Sequence, residues 1–328
     1  MNKTFMKKES SATKGCSWDP QRDFLEEYIP LMEKVRVGDE TSYSKVRALR
    51  VKEYGNTIAI ANQGYYYTAD NQRVELSAMD KIAEGTRFYS SEFNVEHIAP
   101  SANQTIIEVS NADCMAEGIR LLNMGYNPAI LNMASRQIPG GGVAYGMGAQ
   151  EETIFRRSNL FHSLYRFVPY AEDYGVQKAK EQYPMYKDFG GIYSPNITIF
   201  REEEANGYRL MDNPRQVAFI SVAAMNRPKL TKDMMIDESL IEGVKNKMRT
   251  ILRIGLQHGH DSLVLGALGC GAYRNPPKHI AKLFHEVLAE QEFENKYRYI
   301  VFAVLEDHNS RKRHNPEGNY IPFKLEFE

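Results

Sequence analysis

The chain has 328 residues, with 41 Lys and Arg against 42 Asp and Glu, a formal charge of −1. That balance argues against a generally basic nucleic-acid binder, and the ordinary content of hydrophobic (42%) and charged (25%) residues argues against wholesale disorder. Three cysteines, Cys16, Cys114 and Cys270, are too few for a disulfide scaffold and form no Cys-x-x-Cys pair for zinc. No apolar run approaches the roughly 20 residues of a membrane helix, and the N-terminus lacks the apolar stretch of a secretory signal. The expectation is a reduced, cytoplasmic protein without a membrane segment.

Residues 1–20 are polar and read as a tail. Residues 21–50 carry Leu25, Tyr28, Leu31 and Met32 at helical spacing, which predicts a charged helix or two. From Asn56 to Leu76, TIAIANQGYYYT and RVEL predict short extended pieces around a turn at Asp70-Asn71-Gln72. From about residue 104, strands and helices alternate. Strands are predicted at 105–110, 128–134, 196–200, 217–224, 262–268 and 297–305. Helices are predicted at 113–124, 150–165, 236–258 and 275–293. The strands are continuous Val, Ile and Leu runs, so both faces are covered. The pattern implies an α/β fold with a mainly parallel sheet between helix layers. The domain reading is a tail at 1–20, an accessory region at 21–103 packed on the core, and a catalytic domain at 104–328.

In such sheets ligands sit at the carboxyl ends of strands, in the loops that lead to the next helix. The loop after 128–134 reads SRQIPGGGVAYGMGAQEE. Gly140, Gly141 and Gly142 lack Cβ atoms, so their backbone can approach a ligand closely and turn N–H groups on an anion. The plainer reading is a flexible connector. Glu151 and Glu152 open the next helix, where one acidic residue is explained by the helix dipole. Two beside an anion-binding loop are better explained if a carboxyl acts on a group next to phosphates. Neighbouring helical residues point about 100° apart, so the pair does not flank a bond from opposite faces. One carboxyl is expected to be the acid and the other a positioning or ribose-binding group.

The loop after 262–268 reads GALGCGAYRNPP. Asn275 is a good N-cap and Pro276 a good first helical residue, giving strand, glycine turn and helix N-terminus, again suited to phosphate. Tyr273 is placed to lie against a ribose, and Arg274 to reach a phosphate or simply face solvent. The spacing is neither Gly-x-Gly-x-x-Gly nor a P-loop. Cys270 between glycines reads as structural, His258 and His260 as ordinary helix-end residues, and no metal site or cofactor is implied.

Together IPGGGVAYGMGAQEE, AILNMASRQIPGGG, ETIFRRSNLFHSLY, GGIYSPNITIFRE, FISVAAMNRP and LVLGALGCGAYRNPPKHIAKLF resemble the microbial-type poly(ADP-ribose) glycohydrolases of the macrodomain superfamily. The resemblance runs from about residue 35 to 308, and its several motifs in order make it specific. It implies a macrodomain-like three-layer α/β/α sandwich with a mixed, mainly parallel sheet and a mostly helical N-terminal extension. It implies hydrolysis of the ribose–ribose O-glycosidic bond of poly(ADP-ribose) with release of ADP-ribose, and no cofactor. By resemblance Glu152 is the catalytic acid/base and Glu151 helps hold the substrate. Gly140, Gly141, Gly142 and the loop Gly269, Cys270, Gly271, Ala272, Tyr273 and Arg274 clamp the diphosphate, with Tyr273 against the distal ribose. Asp113 matches the residue that meets adenine, Asn132 and Ser135 stand near the distal ribose, and Gln150 belongs to the Gln-Glu-Glu signature. The departures are Met133 and Tyr273, where Phe is usual, and Arg274. The implied partners are poly(ADP-ribose) or ADP-ribosylated proteins as substrate; the chain is expected to act as a monomer without binding DNA. Rival expectations are a macrodomain that reads ADP-ribose without cleaving it, and a hydrolase of mono-ADP-ribosylated proteins or O-acetyl-ADP-ribose. A nicotinamide-dependent oxidoreductase is a third, and it lacks the glycine fingerprint.

Overall fold

The structure, a computed structural model, describes residues 19–95, 104–306 and 311–328; the predicted tail lies almost wholly outside them. In chain order come α1 (Pro20–Arg36), α2 (Glu40–Gln63), the hairpin β1 (Tyr65–Tyr67) and β2 (Arg73–Glu75), α3 (Met79–Gly85) and β3 (Arg87–Tyr89). Then follow β4 (Ile106–Ser110), α4 (Cys114–Asn123), β5 (Pro128–Met133), α5 (Gln150–Arg157), α6 (Phe161–Leu164), β6 (Gly191–Arg201) and β7 (Leu210–Val222). The chain ends with α7 (Glu238–Gln257), β8 (Ser262–Leu265), α8 (Pro277–Leu288), β9 (Tyr299–Ala303) and α9 (Tyr320–Phe327).

Seven strands form one sheet in the order β3-β6-β7-β5-β8-β9-β4. The run β7, β5, β8, β9, β4 is parallel, and β6 and β3 are added antiparallel at one edge. Successive residues feed opposite layers. Ala129, Leu131, Leu263, Leu265, Ile300 and Phe302 pack with α7, α8 and α9, whereas Ile130, Val264, Val301 and Phe219 pack with α4 to α6. Two covered faces explain the non-alternating strands and bear out the three-layer α/β/α expectation. Strand β3, from inside the region read as accessory, is an edge strand of this same sheet.

The segment TIAIANQ is not extended. It is the last part of α2, a 24-residue helix started by Asp39, whose carboxylate accepts from Thr41 N, and stopped at Gly64. Its buried stripe, Val46, Leu49, Arg50, Glu53, Tyr54, Thr57 and Ala61, has helical spacing. Three of those residues are polar, so an apolar periodicity could not reveal it. The turn at Asp70-Asn71-Gln72 does close the hairpin of β1 and β2. The helix predicted over 150–165 breaks at Ser158 and Asn159 because this piece pairs with β6: Asn159 Oδ1 accepts from Thr198 N at 2.8 Å and Ser158 bridges Ile199.

Helix α2 also braces the loop after β5. Arg47 Nε donates to Tyr145 O at 2.7 Å, and Thr57 Oγ1 donates to Arg156 O at 2.6 Å. Arg50 makes two bonds to Glu204, at 2.6 and 2.7 Å. Among the described residues no helix is long and apolar enough to cross a membrane.

Candidate active site

Strands β7, β5 and β8 are neighbours and run the same way, so the loops that leave their carboxyl ends lie side by side. The loop after β5 is held by the first turn of α5. Gln150 Nε2 donates to Leu131 O at 2.7 Å, and Met133 N donates to Gln150 Oε1 at 2.8 Å, so this side chain fastens the helix start to the strand end. Gln150 Nε2 also reaches Cys114 Sγ at 3.3 Å.

The two glutamates follow, and both are buried, Glu151 at 4% and Glu152 at 8% exposure. Glu151 Oε2 accepts from Ser135 N at 2.7 Å and its Oε1 from Gly140 N at 2.9 Å. Glu152 Oε1 accepts from Gly142 N at 2.8 Å. Its Oε2 forms no hydrogen bond among the described residues. Both carboxylates converge on Gly141: a Cβ there would lie 2.6 Å from Glu152 Oε1 and 3.2 Å from Glu151 Oε2, and its φ is +52°. Only glycine fits this position. The N–H groups of Gly140 and Gly142, expected to face an anion, are thus turned on the carboxylates, while Gly141 N donates to Ile138 O.

Burial, and then the charge of Glu152, pushes the Glu151 carboxyl up to about 8; the N–H bonds from Ser135 and Gly140 oppose that rise. Asn132 lies against Glu151 and donates through Nδ2 to Ser221 Oγ at 3.0 Å, while its Oδ1 is buried without a partner. Ser135 Oγ accepts from Gln137 N and Ile138 N, closing the turn before the glycines.

The loop after β8 faces this group. The Tyr273 side chain lies against Ser135 and the Arg136 backbone, which joins the two loops. Its carbonyl accepts from Arg227 N, in the loop after β7, at 2.8 Å. Arg274 is exposed. Cys270 is fully buried, its thiol pushed up by burial, in keeping with a structural part. Asn275 is not the N-cap of α8, which is Pro276. Its amide is drawn instead to Met225 O at 2.7 Å and Gly269 O at 3.1 Å, so it locks the loop rather than the helix.

Asp113 stands apart from the glutamates. It caps α4, accepting from Met115 N and Ala116 N, and pairs with the buried Arg157 at 2.9 Å. It lines an open cleft of about 560 Å³ with Asn111, Ala116, Arg157, Glu202 and Leu305. Sequence reasoning missed Arg157. Its signal was position: it ends the helix that Gln150 begins, so one short helix spans both the carboxylate pair and the cleft.

No curated protein matches the chain. Residues 55–202 match the family described as microbial-type PARG, catalytic domain. The crystal structure of poly(ADP-ribose) glycohydrolase from Thermomonospora curvata is 31% identical with a TM-score of 0.68, over 85% of this chain and 99% of that one. The same protein bound to the inhibitor ADP-HPD is 29% identical with a TM-score of 0.67, over the same shares. The Deinococcus radiodurans enzyme in complex with ADP-ribose is 28% identical, over 78% of this chain and 99% of that one, with a TM-score of 0.59. With the Gly-Gly-Gly and Gln-Glu-Glu motifs folded onto each other and this likeness running the full length of a solved relative, the chain belongs to the microbial-type poly(ADP-ribose) glycohydrolases, enzymes that hydrolyse poly(ADP-ribose).

Proposed function

We propose that Glu152 is the group that cleaves the ribose–ribose O-glycosidic bond at the end of poly(ADP-ribose), first as acid and then as base. The observation that supports this is the asymmetry of the pair. Both oxygens of Glu151 are held by backbone N–H groups, whereas Glu152 is held by one oxygen only. A carboxyl anchored at Oε1 keeps its direction and leaves Oε2 for proton transfer. Glu152 gives its proton to the departing ribose oxygen as the C–O bond breaks and positive charge grows at the anomeric carbon. Water adds to that carbon and returns a proton to Glu152, so ADP-ribose leaves and the enzyme is restored.

Glu151 is the positioning group. Burial pushes its carboxyl up from the ordinary value, which favours the neutral form and so reduces the repulsion two carboxylates would exert on a diphosphate. The loop from Gly269 to Arg274 holds the diphosphate, while Gly140 to Gly142, whose N–H groups are spent on Glu151, Glu152 and Ile138, let it approach closely; Tyr273, Asn132 and Ser135 meet the distal ribose, and Asp113 the adenine. We read the chain as a cytoplasmic monomer that acts on the polymer or on ADP-ribosylated proteins and binds no DNA.

Glu152→Gln keeps the size of the side chain and removes the proton. Its affinity for ADP-ribose is expected to stay within a few-fold, while release of ADP-ribose from labelled polymer drops by several decades. Near-full turnover in that variant would overturn the assignment. Mono-ADP-ribosylated protein run beside the polymer separates this activity from that of a mono-ADP-ribosyl hydrolase.

A further inference from the structure

The N–H groups of the two glycine loops are disposed differently. Those of Gly140, Gly141 and Gly142 are all spent inside the protein. In the second loop, no hydrogen bond is made by the N–H groups of Gly271, Ala272 or Tyr273 among the described residues. Consecutive unspent N–H groups on a tight turn form a concavity for an anion. The carbonyls that precede Gly271 N and Ala272 N are captured on the reverse side, as is that of Gly269. Gly269 O accepts from Asn275 Nδ2 at 3.1 Å, and Gly271 O accepts from Arg274 N at 3.1 Å. Between them, Cys270 O accepts from His314 Nε2 at 2.7 Å.

His314 is far along the chain, beyond β9 and outside the matched residues 55–202. It is half-buried, and its segment is anchored on both sides: Glu306 accepts from the backbone of Asn319 and Tyr320, and Asn315 Nδ2 donates to Asn319 Oδ1 at 2.8 Å. In a planar trans peptide the carbonyl of one residue and the N–H of the next point in opposite directions. A donor that holds Cys270 O on the reverse side therefore holds Gly271 N–H pointing the other way, out of the front of the loop. Rotation of this peptide is further blocked because Cys270 N donates to Ala267 O at 3.0 Å and its side chain is fully buried.

We propose that His314 is a positioning residue for the diphosphate: it orients the Cys270–Gly271 peptide so that Gly271 N–H meets a phosphate oxygen. The proposal rests on the assignment of this loop to the diphosphate of ADP-ribose. Its test compares a ligand with phosphates, ADP-ribose, and one without, adenosine, by calorimetric titration of the full-length enzyme. His314→Ala is expected to weaken ADP-ribose about three- to tenfold, the effect of one lost neutral hydrogen bond. Adenosine affinity and Tm stay unchanged, and KM for polymer rises while kcat holds. His314→Gln, which retains a donor of similar reach, restores most of the loss. Unchanged ADP-ribose affinity in His314→Ala would overturn the proposal, as would equal weakening of both ligands together with a lower Tm, or failure of Gln to restore binding. If the wild type releases ADP-ribose from polymer while the variants give any of these results, the function stands without this role for His314. Wild-type enzyme that does not bind ADP-ribose would overturn the assigned function, and the proposal with it.

Discussion

Gly142 N and Glu152 Oε1 are 2.8 Å apart, so the backbone of the glycine loop itself sets the direction of the carboxyl that opens α5. Between them Gly141 is pressed against both glutamates at a φ of +52°. Gly141→Ala adds a methyl 2.6 Å from Glu152 Oε1 and strains the backbone, so the carboxyl must swing away. A displacement of about 1 Å is enough to cost about 100-fold in rate. The expected outcome is a loss of turnover of at least that size with circular dichroism preserved, read by release of ADP-ribose from polymer. Wild-type turnover would show that the contact does not set the geometry.

The raised Glu151 carboxyl makes stability depend on pH in a defined direction. In the unfolded chain it titrates near its ordinary value of 4.5, and in the folded protein near 8. Between those values the folded state holds a proton that the unfolded state has released. Its contribution is therefore complete below about pH 4.5 and is lost as pH rises through 8. Tm measured from pH 5 to pH 8 is expected to fall more steeply in the wild type than in Glu151→Gln, which cannot titrate. Parallel curves for the two proteins would mean that Glu151 ionises normally in the fold.

Much of this site is visible in the residues because glycine and paired glutamates leave little freedom of interpretation. Gly141 has to be glycine, and Gln150, Glu151 and Glu152 have to share a helix start to reach one loop. Other parts are hidden because a long-range partner outweighs local preference. Asn275 looks like a helix cap until Met225 and Gly269 compete for its amide. Ser158 and Asn159 look helical until β6 takes their hydrogen-bonding groups. Thr57, Ile58 and Ile60 have extended preferences, and α2 exists because its polar stripe finds partners on α5 and β6. His314 carries no sign in its neighbourhood of the carbonyl it holds.

That polar stripe contains a fully buried ion pair. Glu53 on α2 and Arg201 at the end of β6 are fully buried and 2.5 Å apart. Burial pushes the Glu53 carboxyl up to about 7 and lowers Arg201, each against the pull of its partner. Arg201 also donates to Tyr208 O at 2.8 Å and to Asn56. Removing one charge leaves the other buried and unpaired, which costs about 3–5 kcal/mol, whereas replacing both with apolar residues of similar volume is often neutral or better. Arg201→Met is therefore expected to shift the urea midpoint strongly downward. Arg201→Met with Glu53→Leu is expected to recover a large part of that shift. Recovery of structure should carry recovery of activity, because α2 supports the Tyr145 end of the glycine loop through Arg47. A double variant no more stable than Arg201→Met would mean that the bonds to Tyr208 and Asn56, rather than the pairing of charges, hold α2 on the sheet.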